Sequence, residues 1–250
     1  MSTPPRRRTT RSSQSAPVAS AALPAETEPR GSRRKRETRR RLLEAALRLM
    51  AEKGMEGVAI NEITEAADVG FGSFYNHFES KEAIHAALTD WVFEHFADTL
   101  DQLTRDLSDP AEVISVSVRH TVLRARSDPL WGQFLMREGF SSRALSRGLG
   151  RRLMRDVEKG IAAGRFVAED PLLTVISVGG TVLGAITMQL EFESPEEPGP
   201  DPFAESGFSS DQLAERAAAV LLKTLGLSRT EAVEIAYRPL PALTLPDESA

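Results

Sequence analysis

Two hundred and fifty residues allow one or two domains and enough chain to bury a core, and the 41 % apolar and 27 % charged fractions are ordinary for a soluble globular protein. The absence of cysteine excludes disulfides, thiolate metal sites and cysteine nucleophiles. The net charge of −5 hides an asymmetry: the first 41 residues hold twelve Lys/Arg against three Glu, a net +9, and the remaining 209 carry −14, so one end attracts polyanions and the rest repels them.

Residues 1–32 are rich in Ser, Thr, Pro, Ala and Arg and show no apolar periodicity. They offer too little apolar surface to offset the entropy of ordering, so a disordered basic tail is expected. The tail lacks the continuous apolar stretch of a secretory signal, although its composition also fits a transit peptide. From Arg33 the pattern is helical: Leu42, Leu43, Ala46, Leu47, Leu49 and Met50 recur at three- and four-residue spacing, and Gly54 closes the segment. A short segment over Ile60–Ala67 follows, then the break Asp68-Val69-Gly70 and a third segment over Phe71–His77. Ser80 is a good N-cap for a long fourth segment that carries Ile84, Leu88, Trp91, Val92, Phe96, Leu100, Leu103 and Leu107 at helical period.

Helical segments are then expected over 110–126, 129–144, 147–163, 171–190 and 211–225. The pairs Asp109-Pro110, Asp128-Pro129 and Asp170-Pro171 punctuate them as helix starts. Residues 191–210, acidic and holding four prolines, predict a loop, and 228–250 a C-terminal extension. The stretch 171–190 reaches membrane-spanning length and contains Gly180-x-x-x-Gly184, but Thr174, Ser177, Thr181, Thr187 and Gln189 dilute its apolarity and no basic flank anchors it. A buried helix in a bundle, packed tightly through its small residues, explains it better than a membrane span. The fold class is all-α.

Two short helices joined by a tight turn can bury Ile63, Ala67, Val69, Phe74 and Phe78 while the outer side of the second enters a DNA major groove, about 12 Å wide. Asp68 tolerates the left-handed backbone of such a turn. Gly70 and Gly72 keep bulk low where backbone must approach a surface. The alternative is a plain helical hairpin with a solvated basic end. The outer face favours DNA: Phe71, Ser73, Tyr75, Asn76, His77 and Lys81 are hydrogen-bonding or stacking groups that follow a +9 arm.

The run LLEAALRLMAEKG…VAINEITEAADVGFGSFYNHFESKEAI resembles the N-terminal DNA-binding domain of the tetracycline-repressor-like (TetR) regulators, through Ala45, Ala46, Gly54, Ile63, Ala67, Val69, Gly72, Tyr75, Phe78, Lys81 and Glu82. The resemblance covers about residues 38–90. It implies a helix-turn-helix domain over 33–80, with Gly70–His77 as recognition helix, and a helical ligand-binding and dimerisation domain over 81–227. Phe71 and Ser73 would lie nearest the bases with Gly72 allowing close approach, and Tyr75, His77 and Lys81 would hold phosphates. Arg39 and Arg40 of the Arg33–Arg41 run are expected to add DNA contacts, because phosphate contact supplies most of the affinity and the hairpin itself carries Glu62, Glu65 and Asp68. Ala59 stands where the family commonly has a capping Thr, a loss of about 1 kcal/mol. Phe71 stands where a polar or basic residue is more common, and its ring suits a thymine methyl.

The resemblance further implies a homodimer on a two-fold operator; the last two long helices, 171–190 and 211–225, are expected to form it, with Gly180, Gly184, Ala217 and Leu221 as candidate contacts. It also implies a small-molecule effector and a cytoplasmic repressor that the effector releases, without identifying the residues of the pocket. The apolar set Phe96, Trp131, Phe134, Leu135 and Met154 reads either as core or, as pocket candidates, as part of the lining of an apolar cavity between helices. Glu82-x-x-His85 has metal-ligand spacing but stands alone, where a di-iron bundle needs two such pairs. No dinucleotide motif, nucleophile elbow or phosphate loop occurs, so neither enzyme, metal nor cofactor is expected. A DNA-binding protein without a ligand, or a helical bundle that does not touch DNA, are the rival readings.

Overall fold

The computed structural model describes residues 30–167, 170–193 and 208–241. Among the described residues the chain is all-helical: α1 (Arg30–Lys53), α2 (Ile60–Ala66), α3 (Phe71–Tyr75), α4 (Lys81–Leu103), α5 (Pro110–Ser127), α6 (Pro129–Glu138), α7 (Ser142–Ser146), α8 (Gly148–Ala162), α9 (Pro171–Glu193), α10 (Leu213–Thr224) and α11 (Arg229–Ala236). The apolar face of α1 buries Leu42, Ala46 and Met50 against Val58, Ile63, Ala67, Phe74 and Phe78 of the next two helices and their turns. Each such side chain contributes roughly 1.5–3 kcal/mol, which is what holds the very short α3 in place. Gly54, at φ +74°, ends α1 by donating its N–H to the Met50 carbonyl at 2.9 Å. Ser80 opens α4 by accepting the Ala83 N–H at 3.2 Å.

In the second body, Ala111, Ile114 and Val118 of α5 and Val178 of α9 pack on Ala218, Leu221 and Leu222 of α10. All three Asp-Pro pairs act as starts. Asp109, Asp128 and Asp170 accept the N–H of Ala111, Trp131 and Leu173 at 2.9, 3.2 and 3.0 Å.

Several boundaries depart from the sequence reading. The helix begins at Arg30 instead of Arg33, so residues 30–32 are ordered; residues 1–29 of the expected tail lie outside the described residues. The expected loop falls largely on 194–207, also outside them, while 191–193 complete α9. The expected helix over 129–144 splits in two. Gly139 leaves room for α9, since a Cβ there would sit 3.1 Å from Leu183 Cδ1, and Ser141 starts α7 by accepting the Ala144 N–H at 3.2 Å. The fourth helix stops before Leu107 because the chain turns at Thr104, whose hydroxyl bonds back to the Leu100 carbonyl at 2.8 Å. The span expected as a C-terminal extension contains α11, whose Ala232, Ile235 and Ala236 are buried with α5 and α10.

Candidate nucleic-acid interface and cavity

The turn between α2 and α3 is built on Asp68, whose φ of +50° confirms its left-handed backbone. Arg41 of α1 ties that turn down: its Nη2 donates to the Asp68 carbonyl at 3.0 Å and to its carboxylate at 2.9 Å. Glu62 accepts the Ala59 N–H at 2.8 Å, so the reciprocal half of a capping box survives without the Thr, and it also accepts from Lys53 at 2.7 Å. Two of the acids that lie near the interface are therefore paired with cations.

On α3, Phe74 is fully buried and turns the opposite side outward: Phe71 and Tyr75 are 54 % and 52 % exposed, and Gly72 and Asn76 are exposed beside them. Ser73 is half-buried. A Cβ on Gly72 would meet nothing of this chain within 4 Å, so its own fold does not demand glycine there. The space is open to something external.

The basic residues divide. Arg39 lays its guanidinium over the Phe78 ring, 4.6 Å from the centroid, at the edge of this surface. Arg40 is instead clasped along α1 by Glu37 at 2.7 Å and by Glu44, which offsets its charge. The Nζ of Lys81 lies 3.9 Å from Glu56 with its side chain mostly buried. His77 is half-buried; burial first, and then Lys35 and Arg39 nearby, push its pKa down, leaving a neutral imidazole whose Nδ1 has no partner among the described residues. Elsewhere His120 is buried, His95 is exposed, and His85 Nε2 lies 3.0 Å from Glu138 Oε1.

A cavity of about 110 Å³ opens between α4, α5, α6, α8 and α9. Its walls are mainly apolar (Leu100, Val118, Leu135, Phe140, Leu149, Leu153, Val182, Leu183), with Asp101, Ser117, Thr121, Arg152 and Asp156 as polar groups. Arg152 donates to Asp101 at 2.7 Å, to Glu94 at 2.8 Å and to Asp98, while Arg155 donates to Asp101 at 2.6 Å and to Asp156 at 2.8 Å. Burial alone would raise the Asp101 pKa; the hydrogen bonds from Arg155 and Arg152 outweigh it and hold the carboxyl below its usual value, hence ionised. Of the five residues expected to line a pocket, only Leu135 does. Phe96, Trp131 and Phe134 correct that expectation: they fill the solid core, with Phe96 edge-on to Trp131 at 5.0 Å and Phe134 against Phe93 at 5.8 Å. Met154 is exposed, on the side of α8 away from the cavity. The polar lining escaped the sequence because its partners stand more than fifty residues apart.

The bacterial regulatory protein tetR-family model matches residues 42–88, and the tetracyclin repressor-like C-terminal domain model matches 109–238, more than half the chain. The solved structure of RolR in complex with resorcinol is 37 % identical, with a TM-score of 0.62, over 85 % of this chain and 100 % of that one. The chain belongs to the TetR family. It is a DNA-binding, helix-turn-helix transcriptional regulator, not an enzyme. Among curated relatives, the repressor DhaR of Mycobacterium sp. (strain GP1) is 40 % identical over 72 residues, 29 % of this chain and 36 % of DhaR. The repressor KstR2 of Mycobacterium tuberculosis is 34 % identical over 70 residues, 26 % of this chain and 35 % of KstR2. These matches thus span about a third of those relatives' lengths.

In this TetR-family regulator α9 is long and apolar enough, over Leu172–Glu193, to cross a membrane by length and composition. Its two faces account for that apolarity within the fold. Val175, Val178 and Ile186 are buried, whereas Leu173, Ile176, Gly180 and Gly184 look outward. A Cβ on either glycine would meet nothing within 4 Å. Ala217 and Leu221, expected beside them in a dimer contact, are corrected: both are buried inside the protomer, because α10 turns that face to the core, and its outward residues are Arg216, Val220 and Lys223.

Proposed function

We propose that this chain is a cytoplasmic, homodimeric repressor that grips a two-fold operator with Phe71, Ser73, Tyr75, Asn76, His77 and Arg39 and lets go when a small hydroxylated aromatic fills the cavity. The carrying observation is the bare outer face of α3, held rigidly by buried Phe74 and left open at Gly72. Arg33, Arg34 and Lys35 are exposed upstream and add phosphate attraction, so affinity falls with rising salt. Lys81 reaches phosphate by exchanging its long 3.9 Å contact with Glu56. Two copies meet through the outward faces of α9 and α10.

The effector class follows from the cavity's lining. An apolar wall suits a ring, and the ionised carboxylate of Asp101, which already accepts from Arg152 and Arg155, has lone-pair capacity left to accept a hydrogen bond from a hydroxyl. RolR was solved with resorcinol, a benzene ring with two hydroxyls, which supports the same class here. The test is resorcinol titrated into the protein–operator complex. The expected result is release, with operator in turn weakening resorcinol by an equal factor, typically 5–150-fold. Operator affinity unchanged at saturating resorcinol, together with no resorcinol binding by the free protein, contradicts the proposed effector class.

A further inference from the structure

We infer that Phe71 and Tyr75 together form an apolar reading surface for the 5-methyl groups of pyrimidines in the operator, so that sequence is read largely through thymine methyls. This rests on the DNA-binding reading above. Phe71 is the first residue of α3 and Tyr75 the last, one helical turn apart on the same side. Their rings stand edge-to-face, with centroids 5.6 Å apart and planes at 71°, and Tyr75 is also edge-on to the buried Phe74 at 5.4 Å. The chain Phe74–Tyr75–Phe71 therefore fixes two large rings that water would otherwise leave free to move. More than half of each ring's residue is exposed, an unfavourable use of apolar surface unless something covers it.

The rest of the helix narrows what that cover is. α3 carries no acidic residue in its first turn and no basic one in its last, so the bidentate arginine or lysine that reads guanine is missing from it. Its hydrogen-bonding side chains are Ser73, which is half-buried, and the hydroxyl of Tyr75, with Asn76 at the C-cap. Gly70 and Gly72 flank Phe71; a Cβ on Gly72 would meet nothing and one on Gly70 only Ser73 Oγ at 3.8 Å, so the backbone on either side of Phe71 is bare. In the major groove the methyl at pyrimidine C5 is the apolar feature a ring can cover, and it distinguishes thymine from cytosine and from uracil. A bare methyl is a small target. Covering it contributes roughly a fourfold gain per half-site, and about fifteenfold over both halves of a two-fold operator.

The experiment uses the full-length dimer and an operator duplex obtained by selection from random DNA, with affinity read by fluorescence anisotropy at fixed salt. Each thymine in turn is replaced by deoxyuridine, which removes only the methyl. At least one symmetric position should lose roughly fourfold per half-site, and placing 5-methylcytosine there should recover part of what cytosine loses. In Phe71→Ala, whose exposed site leaves the core intact, binding should weaken and the thymine–uracil difference should vanish; helical circular dichroism and the unfolding temperature check that the variant is folded. Uracil tolerated at every thymine, or discrimination that survives Phe71→Ala, overturns the inference while leaving DNA binding intact. A chain that binds no duplex at all overturns both.

Discussion

A charge placed on the outward face of α9, as in Ile176→Asp or Gly180→Arg, is expected to weaken operator binding by roughly 10²- to 10⁴-fold while leaving the protomer folded. The size follows from linkage of two half-sites: once one helix-turn-helix is seated, the second binds at the effective concentration set by the dimer, and a monomer loses that gain. The protomer should tolerate both changes, since Ile176 is exposed and Gly180 faces open space. A stable dimer covers in total about 1,200–2,000 Å². The outward stripe of Leu173, Ile176, Gly180 and Gly184 on α9 would supply the apolar core such an interface requires. Sedimentation velocity should show wild-type dimers and monomeric variants. Variants that remain dimeric and bind operator normally would place the interface elsewhere.

Arg137→Ala is expected to uncouple the cavity from the DNA face, reducing the effect of resorcinol on operator affinity from the 5–150-fold range to about threefold or less. Arg137 lies near the end of α6, and its guanidinium crosses to the C-terminal turn of α1, donating from Nε to the Ala51 carbonyl at 2.6 Å and from Nη2 to the Glu52 carbonyl at 2.7 Å. Those carbonyls are among the last four of α1, which have no partner within the helix, so a cation is well placed there. The neighbouring Glu138 faces His85 of α4 at 3.0 Å. Gly139 and Phe140, the next two residues, line the cavity. A ligand that displaces Phe140 therefore acts on a segment bonded directly to the helix that carries Arg39 and Arg41. Because Arg137 touches neither the cavity nor α3, resorcinol affinity and operator affinity measured separately should change little. Full coupling in Arg137→Ala would show that the signal does not pass through this guanidinium.

The elements that local chemistry specifies were legible in the sequence. Asp-Pro starts, the Ser80 cap and the Asp68 turn each depend on a few adjacent residues, and each is found in place. The interface on α3 was legible for the same reason, because Phe74 inward and Phe71 and Tyr75 outward is a one-turn pattern. Faces were not. Periodicity marks Phe96, Trp131 and Phe134 as apolar, but whether an apolar side chain meets a cavity or another ring depends on helices far along the chain. Ala217 and Leu221 failed likewise: a small-residue stripe looks the same whether it packs on α5 of its own chain or on a second copy. The Asp101–Arg152–Arg155–Asp156 cluster had no local signature, since its charges read as solvated surface until α8 is laid against α4. The clasp of Arg40 by Glu37 and Glu44 lay within reach of helical spacing and would have shown it to be a weaker candidate than Arg39.

Selection of bound duplexes from a random pool at low salt, without effector, decides whether α3 reads DNA as a symmetric pair. Enrichment of a two-fold symmetric sequence is expected, its half-sites spaced to meet α3 of each subunit about one helical turn (10–10.5 base pairs) or a multiple of it apart. Affinity should decline steeply as salt rises. A pool that emerges unenriched, or duplexes that fail to bind even at low ionic strength, would contradict that reading.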